Sequence, residues 1–150
     1  MANLDFISDL KLGNEGEETI ISYLLDKGCK YVDSNDDNKY DLKMITKGVE
    51  TTYEIKTDVK CAPLFDTGNI FIEFESRGKN SGIVVTQADW FVTYFKYLKE
   101  AWFIKSDKLK KLIKENDFPT FKDAGDIGSA THGYLIKRKD FKKHFYVCKI

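Results

Sequence analysis

The stretch NKYDLKMITKGVETTYEIKTD, residues 38 to 58, decides how the rest of the chain is read. Tyr40 to Ile45 and Val49 to Thr57 alternate apolar and polar residues as half-buried strands do, and TKGV between them supplies a Gly-containing tight turn. With Lys47 and Gly48 as the two central turn residues, Tyr40 faces Ile55 and Leu42 faces Tyr53, which gives a consistent core side. The same register sets Asp41 opposite Glu54 and puts Glu54 and Lys56 together on one face. A three-residue loop with a bulge would shift that pairing by one.

Two carboxylates with Cβ atoms ~5 Å apart repel each other unless a cation lies between them or one is protonated. An all-oxygen pair such as Asp41 and Glu54 selects a hard cation, Mg²⁺ with Mn²⁺ as a substitute, which keeps several waters and accepts phosphate oxygens as further ligands. Lys56, one pleat away, is placed to stabilise charge on a phosphate or to help orient and deprotonate an attacking water. Alternatively the three residues form a solvated strand face with a Glu/Lys pair worth a few tenths of a kcal/mol.

Around this hairpin the signals alternate between helix and strand, the pattern of an α/β protein. GNEGEETIISYLLDKG reads as an amphipathic helix with Ile20, Ile21, Leu24 and Leu25 apolar, acids in its first turn and Gly28 as its stop. NIFIEFES is expected to be a strand and IVVT a short further one. Thr86 and Asp89 have the spacing of a capping box, which predicts a helix through QADWFVTYFKYLK. AWFIK reads as a strand, Ser106 as the cap of a basic helix DKLKKLIKEN that Pro119 ends, and Phe118 to Gly133 as mostly loop. Strand pieces around a basic stretch close the chain.

With 150 residues, 42% of them hydrophobic, the chain is expected to form one domain, residues 1 to 150, around a real core. No apolar run approaches the ~20 residues of a membrane span, and the first ten residues carry acids where a signal peptide carries basic and apolar ones, so a cytoplasmic location is expected. Cys29, Cys61 and Cys148 lack any paired spacing and read as reduced structural thiols. The zero net charge hides a division: residues 1 to 75 carry 8 Lys and Arg against 16 Asp and Glu, and residues 76 to 150 carry 16 against 8. An acidic half beside a basic half fits a cation site next to a polyanion-binding face, or solvated helix faces that segregate.

At Asp41 in KYDLK and Glu54-Ile55-Lys56, preceded by the acidic helix with Gly13, Gly16, Glu17, Ile20, Leu24 and Gly28, the first two-thirds of the chain resembles the PD-(D/E)XK nuclease superfamily. The helix is similar to that of small resolvase-like members, and the stretch after Thr57 resembles small phage-type ones. "YD" stands where the family name has proline-aspartate. The resemblance implies a restriction-endonuclease-like fold, a central mixed β-sheet flanked by α-helices. It implies a metal held by Asp41, Glu54 and the backbone carbonyl of Ile55, with Glu17 contributing directly or through water, and Lys56 as the catalytic lysine. Asp58, Glu73, Ser76, Arg77, Lys79 and Ser81 become candidates for site support or DNA contact, with Arg77, Lys79 and Ser81 on the polar loop SRGKNSG that can offer backbone N–H groups and two cations to phosphate. Gln87 is either a further residue pointing into the site from the start of its helix or an ordinary first-turn residue.

Lysines dominate the basic set, 22 against 2 arginines, which favours phosphate contact over base reading. Lys108 and Lys111 lie at helical spacing on the predicted basic helix and are candidate DNA contacts, or one solvated face of it. The aromatics Trp90, Phe91, Tyr94, Phe95 and Tyr97 exceed what one helix face holds, and imply core plus a dimer contact or stacking on bases. His132 and His144 stand outside any nucleophilic triad frame. The expected function is a Mg²⁺-dependent DNA endonuclease, structure-specific in the Holliday-junction-resolvase manner or sequence-nonspecific, working as a homodimer on DNA and not at a membrane. The alternative is a catalytically inactive nuclease-fold module that binds DNA or protein.

Overall fold

The computed structural model describes residues 15–35, 39–122 and 130–150. In chain order it contains α1 (Glu15–Asp26), β1 (Lys30–Ser34), β2 (Leu42–Thr46), β3 (Val49–Asp58), β4 (Asn69–Ser76), β5 (Lys79–Asn80), a 3₁₀ turn (Gly82–Val84), β6 (Trp90–Phe95), β7 (Glu100–Lys105), α2 (Ser106–Glu115), β8 (Thr120–Lys122), β9 (Thr131–Lys137), α3 (Arg138–Phe141), a second 3₁₀ turn (Lys142–His144) and β10 (Tyr146–Lys149). The class is α/β, built on a central mixed sheet. Six strands run in the order β1-β2-β3-β6-β7-β10, and four more form a second sheet, β5-β4-β9-β8.

The β2–β3 hairpin has the two-residue turn expected from TKGV. Lys47 and Gly48 have φ of 50° and 80°, the left-handed pair of a type I′ turn whose twist matches its strands. Leu42 therefore pairs with Tyr53, as the sequence requires. β3 then runs parallel to β6, with Glu54 beside Phe91 and Lys56 beside Thr93. A parallel pair needs a long crossover. Here the crossover is itself folded, because it carries β4, β5 and the first 3₁₀ turn.

Strand alternation divides the core into two. On one face of the central sheet Tyr53, Ile55, Val92 and Tyr94 pack with Ile20, Ile21 and Leu24 of α1. On the other, Phe91, Phe95, Trp102 and Ile104 pack with Ile70, Ile72 and Ile136 of the second sheet and Leu109 of α2. Helices thus flank the central sheet, and a second sheet shares one side with α2. Glu54 and Lys56 alternate onto that second side.

The segment expected as a helix after Thr86 is a strand. WFVTYF is β-branched and aromatic, and it lies between β3 and β7 with both faces covered, so it shows neither alternation nor a helical stripe. Its aromatics fill both cores, which is why they exceed one helix face. The capping-box residues have other partners: Asp89 accepts hydrogen bonds from the backbone N–H and hydroxyl of Thr52 at 2.9 and 3.1 Å, and Thr86 turns to Glu54. IVVT gives the 3₁₀ turn in place of a strand. Ser106 is the first residue of α2 and not its cap; its backbone N–H donates to the Asp89 carbonyl, and its hydroxyl is buried without a hydrogen-bond partner. α2 ends at Glu115, four residues before Pro119, and the expected loop from Phe118 contains β8 and the start of β9. SRGKNSG is likewise not a plain loop: Arg77 and Gly78 turn a tight hairpin between β4 and β5. Among the described residues no helix is long and apolar enough to cross a membrane. Cys29, Cys61 and Cys148 are free thiols.

Candidate active site

β2 begins only at Leu42, and the chain before it turns so that Asp41 extends the ladder with its side chain. The Asp41 backbone N–H donates to the Tyr53 carbonyl at 2.9 Å, while its Oδ2 accepts from the Ile55 N–H at 2.7 Å. A carboxylate therefore stands where the next strand carbonyl would be. In an extended strand the N–H and C=O of one residue point to the same edge. The Ile55 carbonyl thus faces the same vacated edge as the Asp41 carboxylate.

Glu54 is 7% exposed and is among the few buried charged residues described. Its Oε1 accepts the Thr86 hydroxyl at 3.0 Å and its Oε2 lies 3.4 Å from the Lys56 ammonium. Burial pushes the Glu54 carboxyl above its ordinary value and the Asp41 charge adds to this; Lys56 and Thr86 pull against both without prevailing. The ladder ends at Leu42–Tyr53, so the expected pairings of Tyr40 with Ile55 and of Asp41 with Glu54 are not formed, yet the like-charge conflict between Asp41 and Glu54 is present. Burial alone would lower the Lys56 ammonium, but the charges of Glu73, Glu54 and Asp41 outweigh it and hold Lys56 above its ordinary value. Lys56 is a cation in the field of three carboxylates, with Glu54 within 3.4 Å, which suits charge stabilisation better than proton abstraction.

Thr86 is the site residue that sequence reasoning missed. Its hydroxyl has the spacing of a helix cap, and only the placement of Trp90–Phe95 as a strand reveals it as a partner of Glu54. Glu73 reaches the site from β4, where a bulge between Glu73 and Glu75 interrupts pairing with β9. Glu17 sits half-buried in the first turn of α1 on the β1 side: burial raises the Tyr31 phenol, and the charges of Asp33 and Glu17 add to that rise. Asp58, at the end of β3, is raised by burial and accepts the Lys60 N–H at 2.7 Å. The backbone N–H of Gln87 donates to the Lys39 carbonyl at 2.7 Å, and its residue is exposed. Ser81 has a buried hydroxyl with no hydrogen-bond partner, and Arg77 and Lys79 are exposed on the β4–β5 hairpin. Lys108 and Lys111 are exposed on α2, a different element.

Among the described residues no group of three or more His, Cys, Asp or Glu side chains forms a ready-made metal cage. Mg²⁺ does not ask for one, since it is held by one or two carboxylates with waters and substrate phosphate. Asp41, Glu54 and the Ile55 carbonyl fit that donor set, and a cation between the two acids would remove their mutual destabilisation.

No family profile and no curated protein matches the chain. A solved structure of a bacterial homing endonuclease is similar over 61% of this chain, at 19% identity and a TM-score of 0.46. The chain spans about 65% of that protein's length. At this level of likeness no residue role or activity is carried across.

Proposed function

We propose that this protein is a divalent-metal-dependent DNA endonuclease that hydrolyses phosphodiester bonds. The observation that carries the reading is the Asp41 carboxylate, just before β2, acting on a buried Glu54 of β3, with the Lys56 ammonium 3.4 Å from Glu54. A degenerate site has no physical reason to keep buried like charges together. Mg²⁺ or Mn²⁺ would be held by Asp41, Glu54 and the Ile55 carbonyl, with Glu17 as an outer contributor. When bound, the metal supplies Lewis acidity toward the phosphate and eases deprotonation of water.

The chain's own residues do the rest. Asp41 and Glu54 accept positive charge at the vacated strand edge. Thr86 fixes one oxygen of Glu54 and thereby the direction of the other. Lys56, held protonated by its acidic neighbours, offers a fixed cation to a phosphate oxygen as negative charge grows there. Lys108 and Lys111 would hold the DNA backbone, with Arg77, Lys79 and Ser81 at a second contact. A homodimer acting on paired strands, with junctions or other distorted DNA as substrate, is the finer form of the proposal.

The test is cleavage of labelled linear, nicked, flapped and four-way-junction DNA with Mg²⁺, Mn²⁺ or chelator. Metal-dependent cutting that falls by roughly 10²-fold or more in Lys56→Ala and Asp41→Asn is expected. A folded wild type that cuts nothing, and whose variants bind DNA as it does, would leave the binding-module reading in its place.

A further inference from the structure

Beside Lys56 the two sheets leave a cleft of about 390 Å³. We infer that this cleft receives a single unpaired nucleotide of the DNA, its base between Phe71, Phe121 and Leu135 and its backbone entering at Lys56. The inference rests on the nuclease reading and deepens it by naming an unpaired position as what is recognised.

Size is the first ground. The volume lies at the small end of the roughly 300–1,000 Å³ of small-molecule sites, whereas a duplex presents grooves ~6–12 Å wide and needs an open surface. The chemistry of the walls is the second. Phe71, Phe121 and Leu135 give flat apolar contact, while Asn69, Thr93 and Thr131 bring donors and acceptors of the kind a base edge uses. Lys56 and Lys60 are matched by Asp58 and Glu73, so the cleft walls carry no net charge and suit a neutral base. The one phosphate requirement is met at the Lys56 end.

The Phe71 surface is built to stay in place. A Cβ on Gly133 would lie 2.4 Å from the Phe71 ring, so the ring occupies space that only a glycine across the strand pair leaves open. Ile70 and Ile72, on alternate positions of β4, are fully buried and anchor that strand in the core.

A further observation comes from the loop joining β3 to β4, whose Lys60 and Thr67 line the same cleft. At its tip Leu64 and Phe65 are 87% and 80% exposed. This loop is braced. The Thr67 N–H donates to the Lys60 carbonyl at 3.2 Å, the Phe65 N–H to the Ala62 carbonyl at 2.9 Å, Asp66 pairs with Arg138, and Cys61 is fully buried. Two large apolar side chains presented on a braced loop beside a nucleotide-sized cleft have the form of a wedge that unstacks a base step.

The experiment uses a duplex carrying one bulged 2-aminopurine and the fully paired duplex of the same sequence, with the 150-residue chain in chelator so that nothing is cut. Wild type should bind the bulged duplex about 10-fold more tightly, the gain that one base–aromatic stack supplies, with a rise in 2-aminopurine fluorescence. Phe121→Ala, at a half-exposed position, should abolish the preference and leave paired-duplex affinity within about 2-fold. Leu64→Ser with Phe65→Ser should reduce it as well. Equal affinity for the two duplexes, no binding of either, or a preference that survives Phe121→Ala overturns the inference. Cleavage of DNA with Mg²⁺ and no bulge preference would sink this inference alone; bulge preference with no cleavage under any metal would sink the nuclease reading and leave the cleft as a binding site.

Discussion

At the residue scale the central fact is a glutamate held against its electrostatic preference. Glu54 is raised by burial and by Asp41, so its charged form is the costly one in the folded chain. A raised folded value means that the native state takes up protons before the unfolded state as pH falls. Stability without metal should therefore increase as pH drops from the folded value of Glu54 toward the ordinary glutamate value. Glu54→Gln should lose that increase and should melt above wild type at pH 8 when no metal is present, as thermal scans across pH can show. A variant that melts lower at every pH would mean that the Lys56 pairing outweighs burial. Thr86→Val tests the same carboxylate from the other side. Removing a hydroxyl that lowers Glu54 should push it higher still. The acidic limb of the pH–rate profile should move to higher pH; an unmoved limb would assign it to another group. The grouping of Glu54 and Lys56 was legible because the period of two puts both on one face, whereas Asp41 lies outside the ladder and joins them through its bond to the Ile55 N–H. Thr86 was not, since its partner lies 32 residues away.

At the scale of elements, the strand Trp90–Phe95 shows where local signals fail. Thr86 and Asp89 match a helix cap in spacing, but a capping box carries only about 1 kcal/mol, and each fully buried Phe contributes about 1.5–3 kcal/mol from burial in the strand. Burial on both faces removes the alternation that marks a strand, so the competing periodicities carried no signal. The hairpin and α1 were readable because each has one wet face. The bulge in β4 shows a different kind of design. Gly82 has φ of +54°, and a Cβ there would come 2.1 Å from the Glu73 carbonyl oxygen, so the 3₁₀ turn rests directly on the backbone of Glu73, whose charge acts on Lys56. Gly82→Ala should cost ~1–3 kcal/mol in denaturant unfolding from strain at that conformation. It should also displace Glu73 and reduce cleavage in excess of the stability loss, measured well below the melting temperature. A variant that loses stability with full activity would separate the turn from the site.

At the scale of the molecule, acids gather around Lys56 while the later half of the chain supplies cations, and folding brings cations distant in sequence together. His144, in the turn after α3, is lowered by burial and by the charges of Lys108 from α2 and Lys143 beside it. Lys108 and Lys143 thus contribute to one local field although 35 positions separate them. The sequence showed the excess of lysine and could not show that two segments share a face, because that depends on how β10 returns to pair with β7. If this face holds the DNA backbone, each lysine on a phosphate releases a counterion on binding, and the logarithm of affinity should fall linearly with the logarithm of salt concentration. Lys108→Ala with Lys111→Ala should weaken binding equally for all sequences and reduce the slope by ~1 for each phosphate no longer neutralised. His144 is held below its ordinary value by burial and the charges of Lys108 and Lys143, so it carries less charge near neutrality than an ordinary histidine and raising the pH from 7 to 8 should change the slope by less than one phosphate contact. An unchanged slope in the double variant would make the α2 lysines a solvated face, and the DNA backbone would then rest on Arg77 and Lys79 of the β4–β5 hairpin, where the same pair of measurements on Arg77→Ala and Lys79→Ala should recover the missing counterions.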